Sequence, residues 1–148
     1  MNSSNVSAKI TLWVNRLLAV VLVVRVFMMP AILSWYRQFR YLTDGESIAI
    51  IIAYYCCFLV IETALWNVDR LLANILSGQV FVWSNVKRIR RVQWCCSGVS
   101  MICIPAAFAY IPLIFVVLIM AFLALTVSVV ASVMEAAVRI REENDLTI

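Results

Sequence analysis

Residues 113–134 read LIFVVLIMAFLALTVSVVASVM, 22 positions without a charge. Wound as an α-helix at about 1.5 Å per residue, the run is about 33 Å long, close to the thickness of a bilayer's hydrocarbon layer. In lipid a segment must satisfy its own backbone amides, and a helix does so without partners. The rest of the chain agrees. Of 148 residues, 65% are hydrophobic and 14% charged, and the mean hydropathy is +0.99. A soluble domain is about half apolar and about a quarter charged. The expected class is therefore an all-α integral membrane protein, one domain, with apolar side chains turned to lipid. The net charge of +4 fits the bias of Lys and Arg toward cytoplasmic loops better than nucleic-acid binding.

Four membrane spans are expected. The first covers about 10–35, with Trp13 and Trp35-Tyr36 near its ends as an aromatic belt and Pro30 as a kink. Asp44-Gly45 then reads as a turn. The second covers about 47–68, interrupted only by Glu62, and its helix continues through DRLLANIL to stop at Ser77-Gly78. The third helix starts at Ser84-Asn85, a pair suited to N-capping. Its basic opening VKRIRRV leads into a span at 92–110 that contains Pro105. The fourth covers 112–138 with Pro112 in its first turn. Only residues 110–112 join the last two, which makes them a tight antiparallel hairpin in a four-helix bundle. Residues 69–91 form a loop and 139–148 a tail.

Lys9, Arg70, Lys87, Arg88, Arg90, Arg91, Arg139 and Arg141 fall on one side of this arrangement, Arg37 and Arg40 on the other. The imbalance puts both termini and the 69–91 loop in the cytoplasm of a multi-pass cell-membrane protein. The first apolar run carries Arg16 and Arg25 and has no small-residue cleavage site, so no cleaved signal peptide is expected.

Charges inside spans are expensive and mark candidate sites. These are Arg16, Arg25 and Glu62. Counted from the inner ends of their spans, Arg16 and Glu62 both lie about 9 Å deep and Arg25 about 22 Å. An Arg16–Glu62 ion pair between the first two helices is expected; alternatively Arg16 snorkels to the surface and Glu62 meets water. Arg25 is a candidate polar site in the outer half. Glu135 and Arg139, four apart, suit an ordinary helix-surface pair. Lys87, Arg88, Arg90 and Arg91 form a basic cluster beside the membrane, fit for anionic lipid or a docked protein.

The five cysteines, Cys56, Cys57, Cys95, Cys96 and Cys103, all sit in apolar segments. They read as small hydrophobes in packed helices, and no zinc spacing occurs. With no histidine, no P-loop and no nucleophile–base pattern, neither an enzyme nor a bound cofactor or metal is expected.

Two stretches carry a resemblance. SGQVFVWSNVKRIRRVQW presents Gly78, Phe81 and Asn85 ahead of basic and apolar residues, and the chain closes on AAVRIREENDLTI. Both resemble the domain-of-unknown-function 2975 family of small bacterial membrane proteins. Val80 and Val82 depart from the proline-and-polar flavour usual around that phenylalanine. The resemblance implies four membrane helices and no assigned activity. It also implies a neighbouring helix-turn-helix regulator as a possible partner. The loop and tail emerge together, so the basic cluster and Glu142, Glu143 and Asp145 form one surface that either clasps itself or holds a partner. Three functions fit: a non-enzymatic protein that senses membrane state or sequesters a soluble DNA-binding regulator; a small proton-coupled transporter, as a homo-oligomer, with Glu62 as its carboxylate; or a structural subunit of a membrane complex.

Overall fold

The computed structural model describes residues 3–39 and 43–146, and their side chains except those of 3–5, Ala109 and Asp145. Four α-helices follow in order: α1 Ser3–Arg37, α2 Asp44–Leu76, α3 Trp83–Ala109 and α4 Leu113–Leu146. At 35, 33, 27 and 34 residues, each is long enough to outreach a hydrocarbon layer of about 30 Å. Three of them, α1, α2 and α4, are also apolar enough to cross a membrane, and only 6%, 11% and 6% of their most apolar stretches is buried in the protein. The chain is a membrane protein.

The helices pack in chain order: α1 on α2, α2 on α3, α3 on α4. Among the described residues the backbone of α1 does not come close to that of α3 or α4, nor that of α2 to that of α4. The expected bundle is thus an open row. Lipid is as apolar as leucine, so no hydrophobic force drives the row to close. The contact seams repeat every seven residues, as in coiled coils. On α4 the buried positions are Ala124, Ala131 and Val138; on α3 they include Val99 with Ala106, and Ile89 with Cys103 two heptads on. Small residues at these seams let the helices come close.

Helix α3 is the least apolar of the four, since its opening VKRIRRV is basic. Like α2 it lies between two neighbours, but it holds more of the core: Val86, Ile89, Val99, Cys103 and Ala106. Its polar Ser100 is satisfied by donating to the Val117 carbonyl of α4 at 3.1 Å. A helix sheltered by protein needs less apolar surface than one facing lipid.

The α3–α4 hairpin is as tight as expected: Tyr110–Pro112 is the whole connection, closed by Leu113 N–H to the Tyr110 carbonyl at 2.9 Å. Tyr110 also meets the edge of Tyr36 from α1, ring centroids 6.0 Å apart. Helices α1 and α3 run on through Pro30 and Pro105. Two expected boundaries change. Asp44-Gly45 is not a turn but the first turn of α2, because Glu46 accepts the Thr43 N–H at 2.9 Å in a T-x-x-E start. Ser84-Asn85 does not cap α3. The helix begins at Trp83 after an extended Val82, and Asn85 turns back into the preceding loop.

Candidate functional site

The start of α1, the end of α2, the start of α3 and the end of α4 share one end of the row, and most of the charge gathers there. The α2–α3 loop at this end is built on Gly78 and Asn85. Gly78 takes φ +82, a left-handed conformation natural only to glycine. Its N–H meets the Ile75 carbonyl, and the Gln79 N–H meets that of Asn74, which closes α2 in a Schellman motif. Asn85 is 0% exposed. Its amide donates to the carbonyls of Gln79 and Val80 at 2.8 and 2.9 Å and accepts from Asn74 Nδ2 at 2.8 Å. One side chain therefore ties the loop to both helices.

Between α1 and α2 lies a cleft of about 670 Å³ lined by Arg16, Glu62 and Asp69 among others. Arg16 pairs with Asp69, not with Glu62: Nε to Oδ1 is 2.8 Å and Nη2 to Oδ2 3.4 Å. Counting depth from a span end at 68 puts Glu62 level with Arg16. The helices are instead offset, with Asn15 Nδ2 donating to the Leu65 carbonyl at 3.1 Å. That register leaves Glu62 about 10 Å deeper than Asp69, two helical turns away. Glu62 lines the same cleft, and its Oε1 is enclosed with no hydrogen-bond partner among the described residues. Arg25 is exposed among Val23, Val24 and Met28 on the outer side of α1, and no described residue bonds it.

The basic cluster on α3 divides by helical angle. Arg90 faces α4, where Glu135 accepts from it at 2.7 Å and from Arg139 at 2.9 Å. The expected Glu135–Arg139 pair is thus one half of a three-residue bridge. Lys87 and Arg88, four and three residues before Arg91, turn with it the other way toward α2. There they line a second cleft with Arg70, which stacks over Trp66 at 5.1 Å. The end of α4 returns to α3 a second time. Trp83 Nε1 donates to Glu142 Oε1 at 2.6 Å. Of the expected acidic patch, Glu142 is so engaged, Glu143 has an interaction of its own, and the Asp145 side chain, like Arg40, lies outside the described residues.

Cys57 and Cys103 face each other between α2 and α3 with sulfurs 3.6 Å apart; all five cysteines are free thiols. Asp69, Asn74, Trp83 and Arg70 were not singled out from the sequence as site residues. A signal existed for Asp69 and Arg70, since both lie on an uninterrupted helical pattern past Glu62. None existed for Trp83, whose partner is 59 residues away.

The profile of a family described as "Protein of unknown function (DUF2975)" matches residues 20–148. The chain belongs to the DUF2975 family. The match covers all of α2, α3 and α4 and about half of α1, so the Gly78–Asn85 loop and the acidic tail are both family territory. No curated protein and no solved structure is significantly similar to this DUF2975 chain.

Proposed function

We propose that the chain is a non-enzymatic, four-span protein of the cell membrane that holds a soluble helix-turn-helix regulator on its cytoplasmic face. Three observations support four spans. Helix α3 packs along α2 and α4, joins them at opposite ends, and has an apolar stretch at 92–109 about 27 Å long. A helix placed so is suited to cross alongside its neighbours. The shared end carries most of the Lys and Arg, which favours a cytoplasmic location for both termini and the loop.

The observation that carries the partner reading is the double return of α4 onto α3. Trp83–Glu142 and Arg90–Glu135 make the loop and the tail one continuous surface with both signs of charge. A self-clasping tail and a docking tail use the same groups, so a partner competes for Glu142. The test is a pull-down of the tagged protein in mild detergent, with and without residues 141–148. A DNA-binding protein recovered with the intact chain and lost with the truncated one supports the proposal. Equal recovery in both forms refutes it.

A second function is favoured by one observation, the unpartnered Glu62 Oε1 on the α1–α2 cleft. A carboxylate held there is suited to carry a proton in a small transporter, which would work as a homo-oligomer. Unchanged solute resistance in cells overproducing the Glu62→Gln variant eliminates it. A structural role in a larger membrane complex predicts loss of neither property.

A further inference from the structure

We propose that the cleft between α2 and α3 is a binding site for a phosphate-bearing anion. This site is independent of the soluble regulator considered above. It measures about 530 Å³ and is lined by Arg70, Lys87, Arg88 and Arg91, together with Trp66 and Ser84. Its remaining lining side chains, Thr63 and Asn67, are neutral, so four cations meet with no carboxylate among them.

Like charges gathered in one concavity repel, and the protein relieves this elsewhere. Arg16, Arg37, Arg90 and Arg139 each rest on a carboxylate. The four cleft cations have no hydrogen bond or ion pair to any described residue; Arg70 has only the face of Trp66. Arg88 is half-buried, so part of its hydration is lost with no protein anion in exchange. A cation so placed gains from pairing with an external anion.

The donors suit phosphate. Guanidinium forks match two phosphate oxygens at once, and three of the four cations are arginines. Arg70 comes from α2 and the others from α3, so the forks approach from two sides. Ser84 Oγ accepts from Asn74 Nδ2 at 3.4 Å, which leaves its hydroxyl proton free to donate into the cleft. The volume lies in the range of small-molecule sites and exceeds a bare phosphate, so the ester's alcohol fits as well. The α3 cations of the cleft lie within about a turn and a half of the apolar stretch that starts at 92, at the level where headgroup phosphates lie. The phosphate ester therefore comes either from an anionic phospholipid or from a soluble metabolite.

The experiment uses the purified full chain in zwitterionic detergent, with lipid adducts counted by native mass spectrometry. The probes are dioleoyl phosphatidic acid, dioleoyl phosphatidylcholine and inorganic phosphate. Phosphatidic acid is expected to bind at least tenfold better than phosphatidylcholine. Arg88→Gln/Arg91→Gln should weaken it about 25-fold, about fivefold per cation taken additively. Arg90→Gln, which disturbs only the Glu135 side, should leave it within about twofold. Arg70→Gln, at an exposed position on the other helix, guards against misfolding of the double variant and should lose about fivefold. Displacement of the lipid by millimolar inorganic phosphate assigns the site to soluble esters, and retention assigns it to lipid; both uphold the site. Equal binding of the two lipids, or Arg88→Gln/Arg91→Gln and Arg70→Gln both matching Arg90→Gln, overturns it.

Discussion

Replacing Asn85 by alanine should destabilise the protein more than any other single truncation of a polar side chain. Asn85 is fully enclosed and makes three hydrogen bonds, donating two to the Gln79 and Val80 carbonyls and accepting one from Asn74. A neutral hydrogen bond contributes about 1 kcal/mol net, and a buried group left unpaired costs about 1–3 kcal/mol. The Asn74 amide retains Ser84 as a weak partner at 3.4 Å, so the two loop carbonyls dominate the loss. The expected cost is about 3 kcal/mol. Asn74→Ala removes only one of these bonds but leaves the enclosed Asn85 Oδ1 without that donor, and should cost about 2 kcal/mol. The assay is equilibrium unfolding in mixed micelles of rising dodecyl sulfate content, followed by tryptophan fluorescence, with hydrogen exchange to localise the change to residues 77–82. Asn85→Asp sharpens the test. A carboxylate cannot donate to two carbonyls and would face them at contact distance, so it should be at least as harmful as alanine. If Asn85→Asp is as stable as the native chain, the two donated bonds do not exist and the account of the loop fails.

Other substitutions probe the remaining contacts. Gly78→Ala forces a Cβ into the left-handed region at φ +82 and should cost about 1–2 kcal/mol in the same unfolding assay, although nothing crowds the site. Arg16→Asp should lower the amount of folded protein in the membrane, and adding Asp69→Arg should restore it, whereas adding Glu62→Arg should not; fluorescence-detected gel filtration reads all three. Mild oxidation should join Cys57 to Cys103, whose sulfurs need to close from 3.6 Å to about 2.05 Å. Peptide mapping that finds no such crosslink would put the α2–α3 register in doubt.

The helices were legible because their apolar runs are long and their ends are marked by Gly78 and by the three-residue turn at Tyr110–Pro112. Their arrangement was not. Composition says that a helix is greasy but not which side meets a neighbour, and α3 shows the difficulty: its buried positions include Cys103 and Ala106, which no hydropathy scale ranks first. The site was legible as a set of charges and illegible as pairs. Arg16 had two carboxylates within reach on α2, and an offset of two turns decided for Asp69. Arg90 parted from Arg91 because neighbouring residues on a helix point about 100° apart. Asn85 was noticed for its position in a motif, but its role depends on a loop conformation that Gly78 permits.

The open row has a consequence for biogenesis. Each helix is packed against the one made just before it, so the helix seams themselves wait for no distant partner. Chains rich in such near-neighbour contacts assemble quickly and expose little unsatisfied surface on the way. Two long-range contacts form later: Tyr36 of α1 meets Tyr110 only after α3 is made, and a hydrogen bond comes last. The bond from Trp83 to Glu142 spans 59 residues and forms only when the final turn of α4 has left the ribosome. It thus separates a finished molecule from an interrupted one: a chain halted before Glu142 can seat all four helices in the bilayer and still lack the latch that joins its end to its middle.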